Sequence, residues 1–302
     1  MNERATRFRE LLARPEILVL PGTHDVLGAR LAEAAGFEAL VSGGYSASAT
    51  LLGAPDVSLL SYSEMLDHYA RLCEATELPV LADADTGFGG VANVVRTVRG
   101  YERAGVAALL LEDQVFPKRC GHFAGKSVVA RAEWIAKIQA ALDARVDQAL
   151  VIVARTDSVA THGIDEAIER ACLAREAGAD MVFADALENE EQLRRFCAET
   201  GAAHRLANVI EGGKSPELTA AQLQDIGFAA ALYALAPTYA VAHVLRELYA
   251  HLKRDGNTRA MRERLVTFTE FNDIVGLARH LAREDRASSL AAELVSNREA
   301  RK

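Results

Sequence analysis

The stretch Ala107-Ala108-Leu109-Leu110-Leu111-Glu112-Asp113-Gln114-Val115-Phe116-Pro117-Lys118-Arg119-Cys120-Gly121-His122 decides how this chain is read. A short apolar run ends abruptly in two carboxylates, and the loop after it offers a thiol among two cations and an imidazole. An unbroken apolar run of this length suits a strand buried on both faces. Leu78 to Ala82 ends the same way, in Asp83-Ala84-Asp85-Thr86-Gly87-Phe88-Gly89-Gly90. Outward from these two, further runs occur at 17–20, 39–41, 149–154, 181–184, 206–210 and 229–235, with Asn208 interrupting the seventh of the eight. Segments of helical period lie between them, at 26–35, 63–76, 91–104, 132–143, 165–177, 188–199 and 218–226. Gly36, Gly105 and Gly178 close three of these where a helix C-terminus favours glycine. Strands alternating with helices imply parallel βαβ units. The closure predicted is one (β/α)8 TIM-type barrel domain over 1–302, with a doubly wound open sheet as the alternative. Three more helical patterns, at 238–254, 258–265 and 270–284, exceed what one barrel needs. They predict a C-terminal helical extension over 238–302 that packs on a neighbouring subunit.

With 302 residues, half of them apolar, the chain has material for one large core. Its net charge of −8 argues against nucleic acid or an anionic membrane as the main partner. No apolar run approaches the roughly 20 residues that span a bilayer, and the charged, helix-like segment from Met1 to Arg14 lacks the apolar centre of a signal peptide. Cys73, Cys120, Cys172 and Cys197 are widely spaced and make no disulfide framework, which predicts a reducing, cytoplasmic setting.

In a barrel of this kind the chemistry collects where strands end. The residues there are Thr23-His24-Asp25, Ser42-Gly43-Gly44, Asp83 with Asp85, Glu112, Arg155 with Asp157, Asp185, and Asn208 with Glu211. Asp83 and Asp85 stand two apart on an extended segment and so share a side. With Glu112 they make three converging carboxylates, which repel unless a cation lies between them. An all-oxygen donor set favours Mg2+ or Mn2+ over Zn2+. Ser42-Gly43-Gly44 reads either as an anion-binding concavity of backbone N–H groups or as a tight turn. Arg155 reads as a bidentate carboxylate clamp, as an ion pair with Asp157 or Asp185, or as both. Lys118, Arg119 and His122 should lower the pKa of Cys120, and a buried anionic site should raise it again. A thiol poised between these pulls can give its proton to a developing carbanion.

The motifs then identify a family. Pro21-Gly22-Thr23-His24-Asp25, Ser42-Gly43-Gly44, Gly53-Ala54-Pro55-Asp56, Asp83-Ala84-Asp85-Thr86-Gly87, Glu112-Asp113-Gln114, Lys118-Arg119-Cys120-Gly121-His122, Ala154-Arg155-Thr156-Asp157 and the segment from Asn208 to Pro216 resemble the isocitrate lyase/phosphoenolpyruvate mutase superfamily. The likeness runs from about Phe8 to Leu281. It implies a (β/α)8 barrel whose eighth helix is swapped with a partner, a homotetramer, and catalytic Mg2+. It implies that Asp83 binds the metal directly, that Asp85 and Glu112 hold its waters, and that Asp56 lies near the metal. Ser42, Gly43, Gly44 and Arg155 would hold an α-keto acid carboxylate. Lys118, Cys120, Gly121 and His122 would belong to a mobile gating loop, and Asn208 and Glu211 would contact a second carboxylate or position Cys120.

The Lys-Arg-Cys-Gly-His loop resembles the C–C lyases of that superfamily, in the group of 2,3-dimethylmalate lyase, petal death protein and 2-methylisocitrate lyase, rather than its phosphonate-processing members. The activity implied is Mg2+-dependent retro-aldol cleavage of a 2-hydroxy dicarboxylate to an α-keto acid and a carboxylic acid. Cys120 would protonate the leaving carbon, and Tyr45 or a hydroxide at the metal would serve as base. The alternatives are oxaloacetate hydrolysis or decarboxylation at the same metal site, phosphonate chemistry, and a non-catalytic keto-acid-binding barrel. Leu235-Ala236-Pro237 lacks a hydroxyl to hold a hydrated ketone, which weighs against hydrolysis. Asp185 stands where the family often has glutamate, which suggests a wider pocket, with Phe183, Ala236 and Pro237 shaping its specificity.

Overall fold

The computed structural model describes residues 2–123 and 125–301; Met1 and Lys302, the ends of the expected 1–302 domain, lie outside them. The chain forms two compact units, 1–242 and 243–302. Eight strands occupy the first: β1 Leu18–Pro21, β2 Leu40–Ser42, β3 Val80–Asp83, β4 Ala108–Glu112, β5 Val151–Thr156, β6 Met181–Ala184, β7 His204–Asn208 and β8 Ala230–Tyr233. The helices are α1 Glu3–Leu12, α2 Val26–Ala34, α3 Gly44–Leu52, α4 Tyr62–Ala75, α5 Val91–Arg103, α6 Arg131–Ala144, α7 Val159–His162, α8 Ile164–Glu176, α9 Glu190–Glu199 and α10 Ala220–Ile226. The unit boundary falls within α11, Ala236–Asp255. Beyond it lie a 3-10 turn at Arg259–Arg264, α12 Phe268–Ile274 and α13 Leu277–Glu299.

Neighbouring strands pair in parallel in the order β1-β8-β7-β6-β5-β4-β3-β2. A bridge between Gly22 and Val41 brings the two ends together, with Thr23 N–H donating to Val41 O at 2.8 Å. The sheet is therefore a nearly closed (β/α)8 barrel, and the open-sheet alternative is set aside. Gly22 permits the β1–β8 seam: a Cβ there would meet the carbonyl oxygen of Ala234 at 2.1 Å.

Alternation along each strand divides the apolar residues into two layers. Leu18, Leu20, Val41, Leu81, Ala108, Leu110, Val151, Val153, Met181, Phe183, Leu206, Ala230 and Leu232 fill the barrel interior, together with Ala5, Phe8, Leu11 and Leu12 of α1. Leu40, Val80, Ala82, Leu109, Leu111, Ile152, Ala154, Val182, Ala184, Ala207 and Ala231 face the surrounding helices. Continuing the interior set by two residues reaches Asp83, Glu112, Arg155, Asp185 and Asn208, so the same alternation that builds the core places these groups above it.

Several details differ from the sequence expectation. Strands β3, β4 and β5 each include the polar residue expected just after the apolar run, and β7 spans His204–Asn208 where a run over 206–210 was expected. Helix α3 was not expected: glycine opens it and its side chains are small, so its pattern is faint. Gly276, in the left-handed region at φ 76, separates α12 from α13 where one segment over 270–284 was expected. The charged tail is exposed and helical through Glu299. No described helix is long and apolar enough to cross a membrane.

Candidate active site

A cavity of about 70 Å³ opens over the C-terminal ends of the strands. Asp83, Arg155, Asp185 and Asn208 line it from below, Gly43, Gly44, Tyr45 and Asp56 from one side, and Cys120, Gly121 and His122 from above. Phe183, Ile210, Leu232 and Leu235 supply an apolar wall. Asp85, at φ 48, and Ala186, at φ 59, occupy the left-handed region just beyond two of the strand ends, a strain that characterises functional loops.

Of the three expected metal carboxylates, Asp83 lines the cavity, whereas Asp85 and Glu112 are buried and do not line it. The Asp83 carboxylate accepts from Gly44 N–H at 3.0 Å and from Asp85 N–H at 2.9 Å. Asp85 Oδ1 lies 2.7 Å from Lys118 Nζ, which also donates to Asp56 at 2.8 Å. Burial pushes the Asp85 carboxyl up to about 7, against the pull of Lys118. Glu112 is fully buried, and neither of its carboxylate oxygens has a hydrogen-bond partner. Arg155 Nε approaches one of them to 3.4 Å, but burial still holds this carboxyl well above the usual range. Burial also opposes the charge on Lys118, yet Asp85, Glu112, Asp56 and Asp83 together keep it firmly protonated.

No group of three or more His, Cys, Asp and Glu among the described residues closes into a metal cage. A Mg2+ site does not need one, since that ion keeps several waters and takes one or two carboxylates. Neither Glu112 oxygen has a hydrogen-bond donor, the Arg155 approach is long at 3.4 Å, and the donor set is all oxygen. The residues therefore fit a hydrated divalent cation held by Asp83, Asp85 and Glu112.

Arg155 is less free than a bidentate clamp requires. Its Nε and Nη2 bond Asp157 at 2.8 and 3.0 Å, and Nη2 also reaches Asp185 at 2.8 Å. The fork edge is thus occupied, and Nη1 alone has no hydrogen-bond partner among the described residues. Both ion-pair readings hold together, and they leave a ligand one nitrogen. Burial disfavours the Asp157 anion, but Arg155 and Lys126 hold it well below the usual carboxylate range. Asp185 Oδ1 accepts from Asn208 Nδ2 at 3.2 Å.

Ser42 does not join the carboxylate-binding set. It shares the parity of Leu40, so its side chain points to the helix layer, where Oγ meets His68 Nε2 at 2.9 Å. Gly43 and Gly44 remain on the cavity wall, as the N-cap and first residue of α3. The first N–H groups of a helix have no intrahelical partner and favour anions; that of Gly44 is already given to Asp83, and this helix start takes the place of the concavity or tight turn expected.

In the loop above the cavity, the upward one of the two opposed pulls expected on Cys120 prevails. Burial pushes the Cys120 thiol up to about 11, with Asp185 and Asp56 adding to it and Arg155 and a backbone hydrogen bond opposing. Lys118, expected to lower it, is engaged by Asp56 and Asp85. The thiol keeps its proton, as an acid must. His122 accepts Lys214 N–H on Nδ1 at 3.1 Å, which assigns the ring proton to Nε2; Nε2 lies 3.8 Å from Asp185. Burial lowers its pKa and keeps it neutral. Gly121 presses against Asp185 and Arg155: a Cβ would lie 1.5 Å from Asp185 Oδ2 and 2.5 Å from Arg155 Nη2.

Residues 8–253 match the family model for phosphoenolpyruvate phosphomutase. The chain belongs to that family. The 2,3-dimethylmalate lyase of Eubacterium barkeri is 45% identical over 273 residues, covering 90% of this chain and 94% of that protein. An oxaloacetate acetylhydrolase structure, in complex with the inhibitor 3,3-difluorooxalacetate, superposes with a TM-score of 0.91 at 33% identity and covers 95% of this chain and 98% of the other. A phosphonopyruvate hydrolase structure, in complex with oxalate and Mg2+, gives a TM-score of 0.85 at 30% identity, covering 94% and 98%.

Within the family frame, three sequence assignments shift. Ala236 and Pro237 do not line the cavity; Ala234 and Leu235 do. Glu211 stands back from it, with one buried oxygen unpartnered. Lys118 lies behind the wall rather than on it. Sequence reasoning passed over Lys126, whose ammonium bonds Asp157, and Tyr239, which shares a hydrogen bond with Tyr45. Neither carries a local signal, because each partner is far away in the chain.

Proposed function

We propose that this protein is a Mg2+-dependent carbon–carbon lyase, with Mn2+ as a substitute, that cleaves a 2-hydroxy dicarboxylate of the 2-alkylmalate type to an α-keto acid and a carboxylic acid. One observation carries the reading: Asp83, Arg155, Asp185 and Asn208 converge on one cavity, and a thiol kept protonated by burial faces them. The strong likeness to a 2,3-dimethylmalate lyase supports it. Arg155 is the one guanidinium or ammonium on the cavity wall among the described residues. The third carboxylate of a 2-methylisocitrate-type substrate would therefore find no cation, whereas an alkyl group would find Ile210, Leu232 and Leu235.

When bound, the divalent cation lowers the pKa of the substrate hydroxyl and offsets charge on its neighbouring carboxylate. Asp83, Asp85 and Glu112 would hold that cation. Arg155 Nη1 and the first turn of α3 orient the carboxylate that stays with the keto acid. Tyr45, on the cavity wall and hydrogen-bonded to Tyr239, takes the hydroxyl proton as its phenolate and becomes the neutral phenol. The carbonyl forms as the C2–C3 bond breaks, and its electron pair passes to C3. Cys120 gives its proton to that carbon, and the apolar wall excludes water from it.

The test is a product screen by NMR with Mg2+ against 2,3-dimethylmalate, 2-methylisocitrate, oxaloacetate and phosphonopyruvate. Pyruvate plus propionate from the first is the expected result. Pyruvate plus succinate from the second would overturn the dicarboxylate preference. Oxalate plus acetate from oxaloacetate as the main reaction would overturn the lyase reading in favour of the hydrolase that the structural likeness also allows.

We further propose that the protein is a cytoplasmic homotetramer built from helix-swapped pairs. Its four cysteines are free. Phe268 and Leu294 of the second unit are 86% and 72% exposed, and apolar exposure of this size suits burial by a second copy.

A further inference from the structure

Lys126 carries a charge that is almost completely buried. Its side chain is 1% exposed and that of its partner Asp157 is 0% exposed, with Nζ 3.0 Å from Oδ1. The same ammonium donates to the carbonyl of Gly121, next to Cys120. Asp157 is bonded in turn to Arg155, and Arg155 to Asp185. Asp185 touches Gly121 so closely that no side chain fits between them. The contacts close into a ring: Lys126, Asp157, Arg155, Asp185, Gly121 and back to Lys126. Without Lys126, one guanidinium would serve three buried carboxylates, Asp157, Asp185 and Glu112.

The position of Lys126 has a chemical consequence. Removing a buried partner leaves an uncompensated charge, and here the uncompensated charge would be on Asp157. The backbone bond to Gly121 would go with it. Nothing else described bonds the Gly121 carbonyl; Cys120 N–H still donates to Asp56 O at 3.2 Å, so the thiol-bearing segment would lose one of its two backbone ties above the cavity.

We propose that Lys126 is a positioning residue that fastens the Cys120–Gly121 segment to the strand-end clamp at Arg155. It acts through Gly121 and Asp157 and does not touch the substrate. The kinetic part of the proposal rests on the lyase reading; the structural part does not.

The test uses the full chain with Lys126→Met, Lys126→Gln and Lys126→Arg. Iodoacetamide labelling of Cys120 is followed by peptide mass spectrometry, beside kcat, KM and thermal unfolding. For Met we expect Cys120 labelling to accelerate about tenfold as the segment opens locally. We also expect kcat to fall on the order of 100-fold, the scale of an ångström's misplacement, with KM changed far less. Arg, which keeps the charge and donors, should restore protection and most of kcat. Wild-type labelling and kcat in Met would overturn the proposal, as would an Arg variant as unprotected as Met. If Met fails to fold, Gln decides by the same two readouts. If no substrate is turned over, the lyase reading fails, and labelling alone decides the role of Lys126.

Discussion

His68 makes the stability of this protein fall on acidification, by an amount that can be worked out. The ring is buried, 6% exposed, with Nε2 on Ser42 Oγ at 2.9 Å. Burial lowers its pKa to about 4, helped by His24 and opposed by Asp25 and Asp67. Between about pH 6.5 and 4 the unfolded chain therefore binds a proton at this site that the folded chain does not. Stability from the neutral ring is fully present above 6.5 and is lost as pH falls toward 4. Over the whole window the loss is ~3 kcal/mol, of which about 2 kcal/mol is gone by pH 5. Asp85 and Asp113, raised by burial to about 7 and about 6, titrate nearby with the opposite sign, since their folded forms take up protons first. The wild-type curve is thus a sum, and the difference from His68→Gln isolates the histidine. Glutamine keeps a polar partner for Ser42 and does not titrate. Urea unfolding of both proteins without metal, from pH 7.5 to 4.5, measures the difference. It should shrink by about 2 kcal/mol between pH 7 and 5. A difference constant across that range would refute the argument that burial keeps this ring neutral.

Other outcomes follow from the same contacts. Cys120→Ser should lower kcat by about 100-fold or more, while Mg2+ and pyruvate binding by calorimetry stay intact; normal turnover would remove the thiol from the mechanism. Gly121→Ala should abolish turnover, because its Cβ must displace Asp185 or Arg155; a crystal structure of the variant with both residues in place would contradict this. Asp157→Asn leaves Arg155 and Lys126 without their shared anion and should destabilise the fold by roughly 3–5 kcal/mol in urea unfolding. Chelation should remove activity, and Mg2+ should both restore it and raise the thermal midpoint. In Glu112→Gln the Mg2+-induced rise should be smaller, because the buried carboxylate that calls for a cation has gone.

Much of the architecture was legible because burial on both faces leaves a local mark. Apolar runs such as Leu109 to Leu111 and Val151 to Ala154 locate strands whatever lies elsewhere in the chain, and Gly36, Gly105 and Gly178 mark helix ends through a backbone angle that other residues resist, φ 86, 92 and 103. Helix α3 escaped because Gly44, Ser46, Ala47 and Ser48 are small and bury without an amphipathic stripe. Ser42 was misplaced because a three-residue strand shows too little alternation for its inward and outward sides to be told apart.

What the sequence by itself determined is which groups stand at the strand ends: Asp83, Glu112, Arg155, Asp185 and Asn208 follow from a period of two continued past the core. Only the tertiary structure decided what each of them meets. Arg155 spends its fork edge on Asp157, Lys118 is shared by Asp56 and Asp85, and Lys126 reaches Asp157 across 31 positions. It also decided the direction of the Cys120 shift. Flanking cations are visible in sequence, but a pKa answers to desolvation and to distances in space, and those are set by folding.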